Sequence, residues 1–350
     1  MKKKKASGKK IALIVLVIVL SIVLVGLLAA TIYVDWVLDR FHRDPEEVEQ
    51  TLSEQEVSAL YTEPTDETEN PTAVTVDPDE LVWADAEPIE SSSHIFNFML
   101  VGQDRRPGEA RARSDSMILI TVNTQTKQLY MTSIMRDLYV KIPGFASNRM
   151  NVPYIIKGAS LLFDTMEKNL GLRPDHYVEV DFNGFTSAIE MLGGVDIFLT
   201  RAEARHLNSN EAYYGFPKEQ WELVEGINHL TGNQALAYAR CRNVDGTGDF
   251  NRTRRQRDVL NALMEKAKNM SMLELHDLVI AMGDYIATDM TGAQILSYAA
   301  AFAPMLKELQ IVNQRIPADD TFYLGNVEGI GSVIIADMEK NREILANSQK

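Results

Sequence analysis

Cysteine is almost absent from this chain, in which Cys241 is the single thiol. One cysteine excludes an intrachain disulfide, and it also excludes a CxxC zinc or redox site. Basic residues are also scarce: 35 Lys and Arg face 49 Asp and Glu, giving a formal net charge of -14. General nucleic-acid affinity needs a broad basic face, so this balance argues against a nucleic-acid partner.

The N-terminus holds a long apolar run. Residues 1–10 carry six lysines and no acid, and residues 11–34 contain no charged residue. At about 1.5 Å per residue this run can cross a hydrocarbon core of about 30 Å. We therefore predict a single-pass protein of the cell membrane, with its basic tail cytoplasmic and the rest of the chain extracytoplasmic. Cleavage as a signal peptide near Ala29-Ala30-Thr31 is the competing interpretation, and the length of the run argues against it.

Residues 35–93 predict an acidic extracytoplasmic linker. Between Phe41 and Glu90 the composition is dominated by Asp, Glu, Thr and Pro, and Arg43 is the only Lys or Arg. Residues 44–60 contain enough helix formers for a juxtamembrane helix, whereas residues 63–90 are typical of a solvated spacer. A functional acidic segment is the alternative. Residues 94–346 then form the predicted folded domain.

The first part of that domain predicts three strands. They are His94–Val101, Ser116–Asn123 and Gln128–Met135, each short, apolar and rich in β-branched or aromatic residues. The second and third are separated only by a short turn, which favours an antiparallel hairpin.

This arrangement brings distant acidic residues together. If the first strand is antiparallel to the second, its end at Asp104 lies beside Asp115, where the second begins. The third strand runs back to the same edge and ends at Arg136-Asp137. Carboxylates suit Mg²⁺, which takes a few of them together with water and substrate phosphates. The alternative is that Asp115 caps a turn and Asp104 is a solvated loop residue.

The remaining segments alternate between predicted helices and predicted strands, and this order predicts a mixed sheet covered by helices. The predicted helices are Val152–Leu170, Asn183–Leu192, Ser271–Met282, Thr291–Leu306 and Ile330–Ile344. The predicted strands are Tyr177–Phe182, Val195–Leu199 and Gln310–Ile316. Arg201–Trp221 is predicted to be a polar surface excursion. Arg149 and Asn151 precede the first helix, whose N-terminal N–H groups could face an anion.

Arginine is concentrated in residues 235–256, which read ALAYARCRNVDGTGDFNRTRRQ and contain no Lys. Fixed guanidinium forks favour bidentate binding of phosphate or carboxylate. A capping box at Thr231–Gln234 predicts a helix through Ala239, which delivers Arg240 and Arg242 at its end. The helix dipole favours cations at that end even without a ligand, so a purely structural role for Arg240 stays open.

The next helix predicts a second group of inward-facing side chains. Phased on Val259, Leu260 and Leu263, the inward positions include those of Arg252, Arg255 and Gln256. Arg254 and Arg257 fall on other faces, toward solvent. Inward arginines need a counter-charge. An anionic ligand could supply it, and so could a salt bridge to Asp245 or Asp249.

The order and spacing of several motifs carry a family resemblance. They are FMLVGQDRR, ARSDSMILITVN, SIMRDLYVKIP, YVEVDFNGF, LGGVDIF, LTGNQALAYARCR and GDFNRTRRQRDVL. From about Phe96 to Ile344 the chain resembles the extracytoplasmic domain of LytR–CpsA–Psr proteins. The resemblance implies an α/β/α sandwich around a mixed sheet, with an apolar pocket for a lipid chain. One departure is NVPYIIKGAS, in which Lys157 and Gly158 replace the usual Gly-Gly and affect the expected loop shape.

The resemblance also implies an activity. It implies a phosphotransferase that moves a glycopolymer from a polyprenyl-pyrophosphate carrier in the membrane to a hydroxyl of peptidoglycan, with Mg²⁺ held by Asp104 and Asp115. The residues that fall on or near the pyrophosphate site are Arg106, Arg113, Arg136, Arg149, Arg240, Arg242, Arg252, Arg255 and Gln256. We expect Asp104, Arg136, Arg240 and Arg242 to act in catalysis, and Asp104 ahead of Asp137 to activate the acceptor hydroxyl.

Other functions use the same residues. One alternative is a hydrolase that releases the glycan phosphate to water. Another is a non-catalytic, lipid-binding regulator of envelope assembly. Teichoic acid, capsular polysaccharide and other wall polymers all stay open as the transferred glycopolymer.

Overall fold

The computed structural model describes residues 52–53, 56–58, 73–81, 85–103, 114–210, 214–215, 221–242, 244 and 248–350. The predicted cytoplasmic tail, the predicted membrane span and much of the predicted linker lie outside these residues. So do Asp104, Arg106 and Arg113, whose predicted roles stay predictions. Within the described ranges, no helix is both long and apolar enough to span a bilayer.

The described chain contains strands and helices that we number in chain order. The strands are β1 Val74–Val76, β2 Ile95–Gln103, β3 Ser114–Asn123, β4 Gln128–Ile134, β5 Tyr139–Val140, β6 Asn148–Arg149, β7 His176–Asp181, β8 Val195–Leu199, β9 Gly226–Leu230, β10 Ile286–Thr288, β11 Gln310–Ile316, β12 Phe322–Val327 and β13 Gly331–Ala336. The helices are α1 Val152–Leu170, α2 Phe182–Met191, α3 Arg201–Ser209, α4 Gly232–Arg240, α5 Asp249–Asn269, α6 Met272–Met282, α7 Gly292–Phe302 and α8 Met338–Ser348.

A six-stranded mixed sheet forms the centre, in the order β10-β7-β2-β3-β4-β11. The predicted antiparallel pairings of β2 with β3 and of β3 with β4 are confirmed. β7 runs parallel to β2, and β11 runs parallel to β4. The carboxyl ends of β2 and β7 therefore meet at the edge where β3 begins.

Both faces of the sheet are covered by helices. On one face, Met99 and Val101 of β2 share a core with Leu162 and Met166 of α1. On the other face, Ile118 of β3 shares a core with residues of α5 and with the 3-10 segment Ala303–Glu308. Met117 and Leu119 of β3 belong to the first core and Ile118 between them to the other, since side chains alternate across a strand. The layered arrangement agrees with the α/β/α fold implied by the family resemblance.

A third core lies beside the sheet and contains part of the arginine-rich segment. The β8–β9 ribbon is antiparallel, and it shares this core with α3, α4 and the middle of α5. Thr231 caps helix α4 through the predicted capping box, and the last residue of the helix is Arg240. Cys241 follows as the C-cap and is fully buried.

Two predictions of secondary structure are wrong. The predicted helix over 330–344 is instead the end of a hairpin, β12–β13, followed by α8. β13 pairs with β12, so its β-branched run Val333-Ile334-Ile335 extends instead of coiling. The predicted surface excursion after residue 200 begins with α3, which has a complete capping box between Thr200 and Glu203.

The Lys157–Gly158 departure has a structural counterpart. Helical backbone is interrupted there, inside α1, and Gly158 adopts φ 64° and ψ -153°. A side chain rarely adopts a positive φ without strain, which suits glycine at this position. The motif therefore places a kink inside α1.

Candidate functional site

A cavity of about 310 Å³ opens at the sheet edge where β2 ends and β3 begins. Its apolar lining includes Leu100, Ile118, Phe182, Phe185, Ala188, Leu236, Leu260, Leu263 and Met282. Its polar lining includes Asp115, Ser116, Asp181, Arg240, Arg242, Arg252 and Gln256. An apolar body with a few charged groups is the usual composition of a site for a partly apolar ligand.

Asp115 and Arg136 meet at this edge, as the strand topology predicted. Arg136 Nη1 donates a hydrogen bond to Asp115 Oδ1 over 2.9 Å, because the start of β3 and the end of β4 lie at the same open end of the antiparallel hairpin. Arg136 Nε also lies 3.5 Å from Asp137 and 3.6 Å from Asp249. Arg136 is therefore surrounded by carboxylates just behind the cavity wall.

The charge state of Asp115 follows from its neighbours. Burial alone would raise the pKa of its carboxyl group, but the guanidinium groups of Arg136 and Arg252 outweigh burial and hold that pKa below its ordinary value. Asp115 is therefore an anionic oxygen donor at neutral pH.

Arg240 and Arg242 contribute the cationic part of the cavity lining. The Arg240 guanidinium lies 4.7 Å from the ring centroid of Phe182, a cation–π contact that orients it over the cavity wall. Within the described ranges, neither arginine forms an ion pair with a carboxylate. Both arginines therefore add positive charge to the cavity lining.

Arg252 and Gln256 line the same cavity from the first turns of α5. Arg252 Nη2 lies 2.7 Å from Asp249 Oδ1 and donates to the Asp115 carbonyl oxygen over 3.2 Å. Gln256 Oε1 accepts a hydrogen bond from the Ser116 hydroxyl at 3.1 Å. The helical phasing of these two residues is confirmed, and the alternative of a salt bridge to Asp249 also holds for Arg252.

Arg255 does not line the cavity. Its side chain is 0% exposed, and its Nε donates to Glu203 Oε1 over 2.8 Å. Its Nη1 donates to the carbonyl oxygen of Cys241 over 2.9 Å. Arg255 thus holds the backbone between Arg240 and Arg242, and its surroundings differ from the pyrophosphate contact that the resemblance implied.

Arg149 is likewise engaged elsewhere. Its guanidinium donates to the carbonyl oxygens of Ile330 and Ser332, which lie at the β12–β13 turn and at the start of β13. Its Nε lies 3.8 Å from Asp137. Neither Arg149 nor Asn151 belongs to the cavity lining.

The helical phasing predicted that Arg254 and Arg257 both face solvent, and only Arg254 does so. Arg254 is half-exposed and pairs with Glu203 and Asp258, in line with an outward position. The prediction for Arg257 is wrong, because its Nη1 donates to the Ser133 hydroxyl of β4 over 2.5 Å. Burial against the sheet lowers the pKa of Arg257 to about 10.

Sequence reasoning missed two residues of this region. Asp181 lines the cavity and caps α2 by accepting from the Gly184 N–H. Glu203 is the buried partner of Arg255. The Thr-x-x-Glu spacing at Thr200 was a usable signal for Glu203 as a helix-capping residue. No local pattern could have paired Glu203 with Arg255, because these residues meet only in the folded core.

Comparisons with known proteins fix the family. The model of the LytR_cpsA_psr family matches residues 51–349. The polyisoprenyl-teichoic acid–peptidoglycan teichoic acid transferase TagU of Halalkalibacterium halodurans is 30% identical over 240 residues, which are 67% of this chain and 75% of that protein. The corresponding TagU of Bacillus mycoides is 32% identical over 231 residues, 65% of this chain and 71% of that protein.

Solved structures give the same answer. The structure of TagT bound to LIIa-WTA superposes with a TM-score of 0.60 at 27% identity, covering 76% of this chain and 94% of that chain. The crystal structure of TagT from B. subtilis superposes with a TM-score of 0.58 at 25% identity, covering 76% and 98%. The chain belongs to the LytR–CpsA–Psr family.

Proposed function

We propose that this protein transfers a glycopolymer, in the form of a glycan phosphate, from a polyprenyl-pyrophosphate carrier to a hydroxyl group of peptidoglycan. One observation carries the proposal. Arg240 and Arg242 line one cavity with a long apolar wall, and within the described part of the chain neither pairs with a carboxylate. A lipid pyrophosphate has the matching chemistry, with two phosphates joined to a hydrocarbon chain. The names of the relatives support teichoic acid as the transferred polymer.

The cavity accounts for binding and orientation. The guanidinium groups of Arg240, Arg242 and Arg252 bind the pyrophosphate oxygens, and the isoprene chain lies along Leu260 and Leu263. Fixed cations at the phosphate oxygens stabilise charge as it moves to the leaving group, because they need no reorganisation during the reaction.

The transfer step is an in-line displacement. The acceptor hydroxyl oxygen forms a bond to the phosphorus nearer the glycan, and the bond from that phosphorus to the bridging oxygen breaks. Polyprenyl phosphate leaves with the bonding electrons. We propose that Asp104 takes the hydroxyl proton, with Asp137 as the second candidate.

Magnesium fits the chemistry of Asp115, which is ionised and lines the cavity. We propose that Asp115 and Asp104 hold the ion. Bound there, Mg²⁺ would offset charge on the pyrophosphate. Arg136 keeps the Asp115 carboxylate ionised and oriented, whether or not a metal is bound.

Reconstitution tests the proposal. Full-length protein in detergent would be mixed with a polyprenyl-pyrophosphate glycan, with or without peptidoglycan fragments, and the products identified by mass spectrometry. We expect a phosphodiester-linked glycan only when the acceptor is present. Equal glycan release with and without acceptor would instead identify a hydrolase, and binding without any turnover would identify a non-catalytic role.

A further inference from the structure

Part of the predicted linker is bound to the folded domain. The described linker residues 52–53, 56–58, 73–81 and 85–93, here called the strap, contact the domain at three places. The first place is α1, where the Leu52 N–H donates over 3.2 Å to the carbonyl oxygen of Ile156. Val57 packs against the core that α1 shares with the sheet. Helical backbone is interrupted directly after Ile156, and the strap supplies a donor for its carbonyl group.

The second place is the small three-stranded sheet, to which the strap contributes β1. β1 pairs in parallel with β12 over Val74–Val76. Val76 is 8% exposed and shares a core with Tyr139 and Val333, and Leu81 packs against the same core. The strap therefore buries hydrocarbon against the domain in addition to its backbone hydrogen bonds.

The third place is the end of α1, beside α8. The Ile89 N–H donates over 2.7 Å to the carbonyl oxygen of Gly171, and Arg342 Nε donates over 2.7 Å to the carbonyl oxygen of Glu87. Gly171 has φ 72°, and a Cβ at this position would come within 2.2 Å of the Glu87 oxygen. The close approach of the strap therefore requires glycine here.

Docking of the strap shortens the tether between the membrane and the domain. If the membrane span ends at residue 34 as predicted, seventeen residues, 35–51, precede the first contact. Without the first two contacts, fifty residues, 35–84, would precede the third. The root-mean-square span of a random coil is about 23 Å for the shorter length and about 39 Å for the longer one. Effective concentration falls with about the 3/2 power of tether length, which is about a fivefold difference.

We propose that the strap is a tether-shortening device. By docking on α1 and β12, it holds the catalytic cavity near the membrane surface, where the lipid carrier lies. This inference rests on the proposed function and on the predicted membrane span. The other role open to these contacts is stabilisation of the domain alone. The two roles differ in their consequences, because tether length affects a substrate in the bilayer and not a substrate in solution.

Two substrates separate the roles. Full-length protein in liposomes would be assayed with a long-chain prenyl-pyrophosphate glycan in the same bilayer and with a short-chain, water-soluble analogue. The double variant Val57→Asp, Val76→Asp places charges against the two cores and opposes docking at the first two places. We expect it to lose about fivefold in transfer rate with the bilayer substrate and nothing with the soluble one. Equal losses with both substrates, or no loss with the bilayer substrate, would overturn the proposal.

Two matched controls localise the effect. Val74→Asp changes a residue of the same strand that is 61% exposed, and we expect wild-type rates with both substrates. Insertion of about 33 Gly and Ser residues between Arg43 and Asp44 lengthens the free tether to about fifty residues and leaves every strap contact in place. We expect the insertion to reproduce the fivefold loss with the bilayer substrate alone. An insertion variant with the wild-type rate would contradict the proposal.

A distance measurement gives a readout that does not depend on turnover. A donor dye on Ser297→Cys, at an exposed position of α7, would transfer energy to acceptor lipids in the bilayer, and Cys241 would not take the dye because it is 0% exposed. We expect lower transfer efficiency when this protein carries the double substitution or the insertion. Equal efficiencies in all three proteins would overturn the proposal. Failure of the wild-type protein to form an acceptor-dependent product from either substrate would instead count against the proposed function.

Discussion

Arg255 donates a hydrogen bond over 2.9 Å to the carbonyl oxygen of Cys241, the residue between Arg240 and Arg242. The same guanidinium donates to Glu203 of α3, which is 2% exposed. A buried arginine therefore fixes the backbone that presents two cavity arginines. Arg255 therefore positions Arg240 and Arg242 without lining the cavity itself.

Loss of this contact should cost stability. Arg255→Ala leaves the buried Glu203 carboxylate with less compensation, and we expect unfolding free energy to fall by about 3 kcal/mol. Urea unfolding measures the change. Arg254→Ala is the matched control, because Arg254 also contacts Glu203 but is 42% exposed, and we expect a loss of about 1 kcal/mol or less. Equal losses in the two variants would contradict the positioning role.

Asp249 should control the geometry of Arg252. Their ion pair is 2.7 Å long, and burial lowers the pKa of the Arg252 guanidinium although the Asp249 carboxylate opposes this shift. Asp249→Asn preserves the shape of the side chain but removes its charge, so we expect kcat/KM for the lipid substrate to fall about tenfold or more. Steady-state kinetics with Asp258→Asn as control tests this, since Asp258 pairs with Arg254 on the same helix outside the cavity. A similar fall in both variants would show a general effect on α5.

The acid stability of the protein should depend on Arg136. The pKa of Asp115 is lowered in the folded state, so its ionised form adds stability above the unfolded pKa of about 4, and this stability is lost as the pH falls through the folded pKa. Burial raises the pKa of Asp115, and Arg136 opposes this effect. Arg136→Gln removes that cation, so we expect the pKa of Asp115 in the folded state to rise. The stabilisation should then be smaller and should be lost at a higher pH.

Urea unfolding from about pH 7 down to about pH 3 checks this expectation. Arg173→Gln is the control, because Arg173 pairs with carboxylates on the surface. The expectation fails if both variants lose stability over the same pH range as the wild-type protein.

The central sheet could be predicted from the sequence where the strand pattern and the short connections between strands indicate the same pairing. The three predicted strands after residue 94 are present, and the antiparallel order that brings Asp115 to Arg136 follows from their short connections. The helical period also placed Arg252 and Gln256 on the cavity side of α5. These features depend on spacing along one or two adjacent elements, which a sequence displays directly.

Features that depend on distant partners were missed. The run over Val333–Ile335 is a strand because it pairs with β12, although the following residues have helical spacing. Arg255 falls beside the inward stripe, but its direction is decided by Glu203 on α3. Arg257 faces the sheet because Ser133 of β4 accepts from it. Each of these features is decided by a tertiary contact with a residue that is distant in the sequence.

The central claim is that Arg240 and Arg242 bind the pyrophosphate during transfer to peptidoglycan. The most direct test is the rate of acceptor-dependent transfer by the double variant Arg240→Ala, Arg242→Ala, compared with the exposed α3 double variant Arg201→Ala, Arg205→Ala. We expect the cavity variant to lose about a thousandfold or more in kcat/KM while it unfolds at the wild-type urea concentration, and the control to retain wild-type turnover. Full turnover by the folded Arg240→Ala, Arg242→Ala variant would contradict the account.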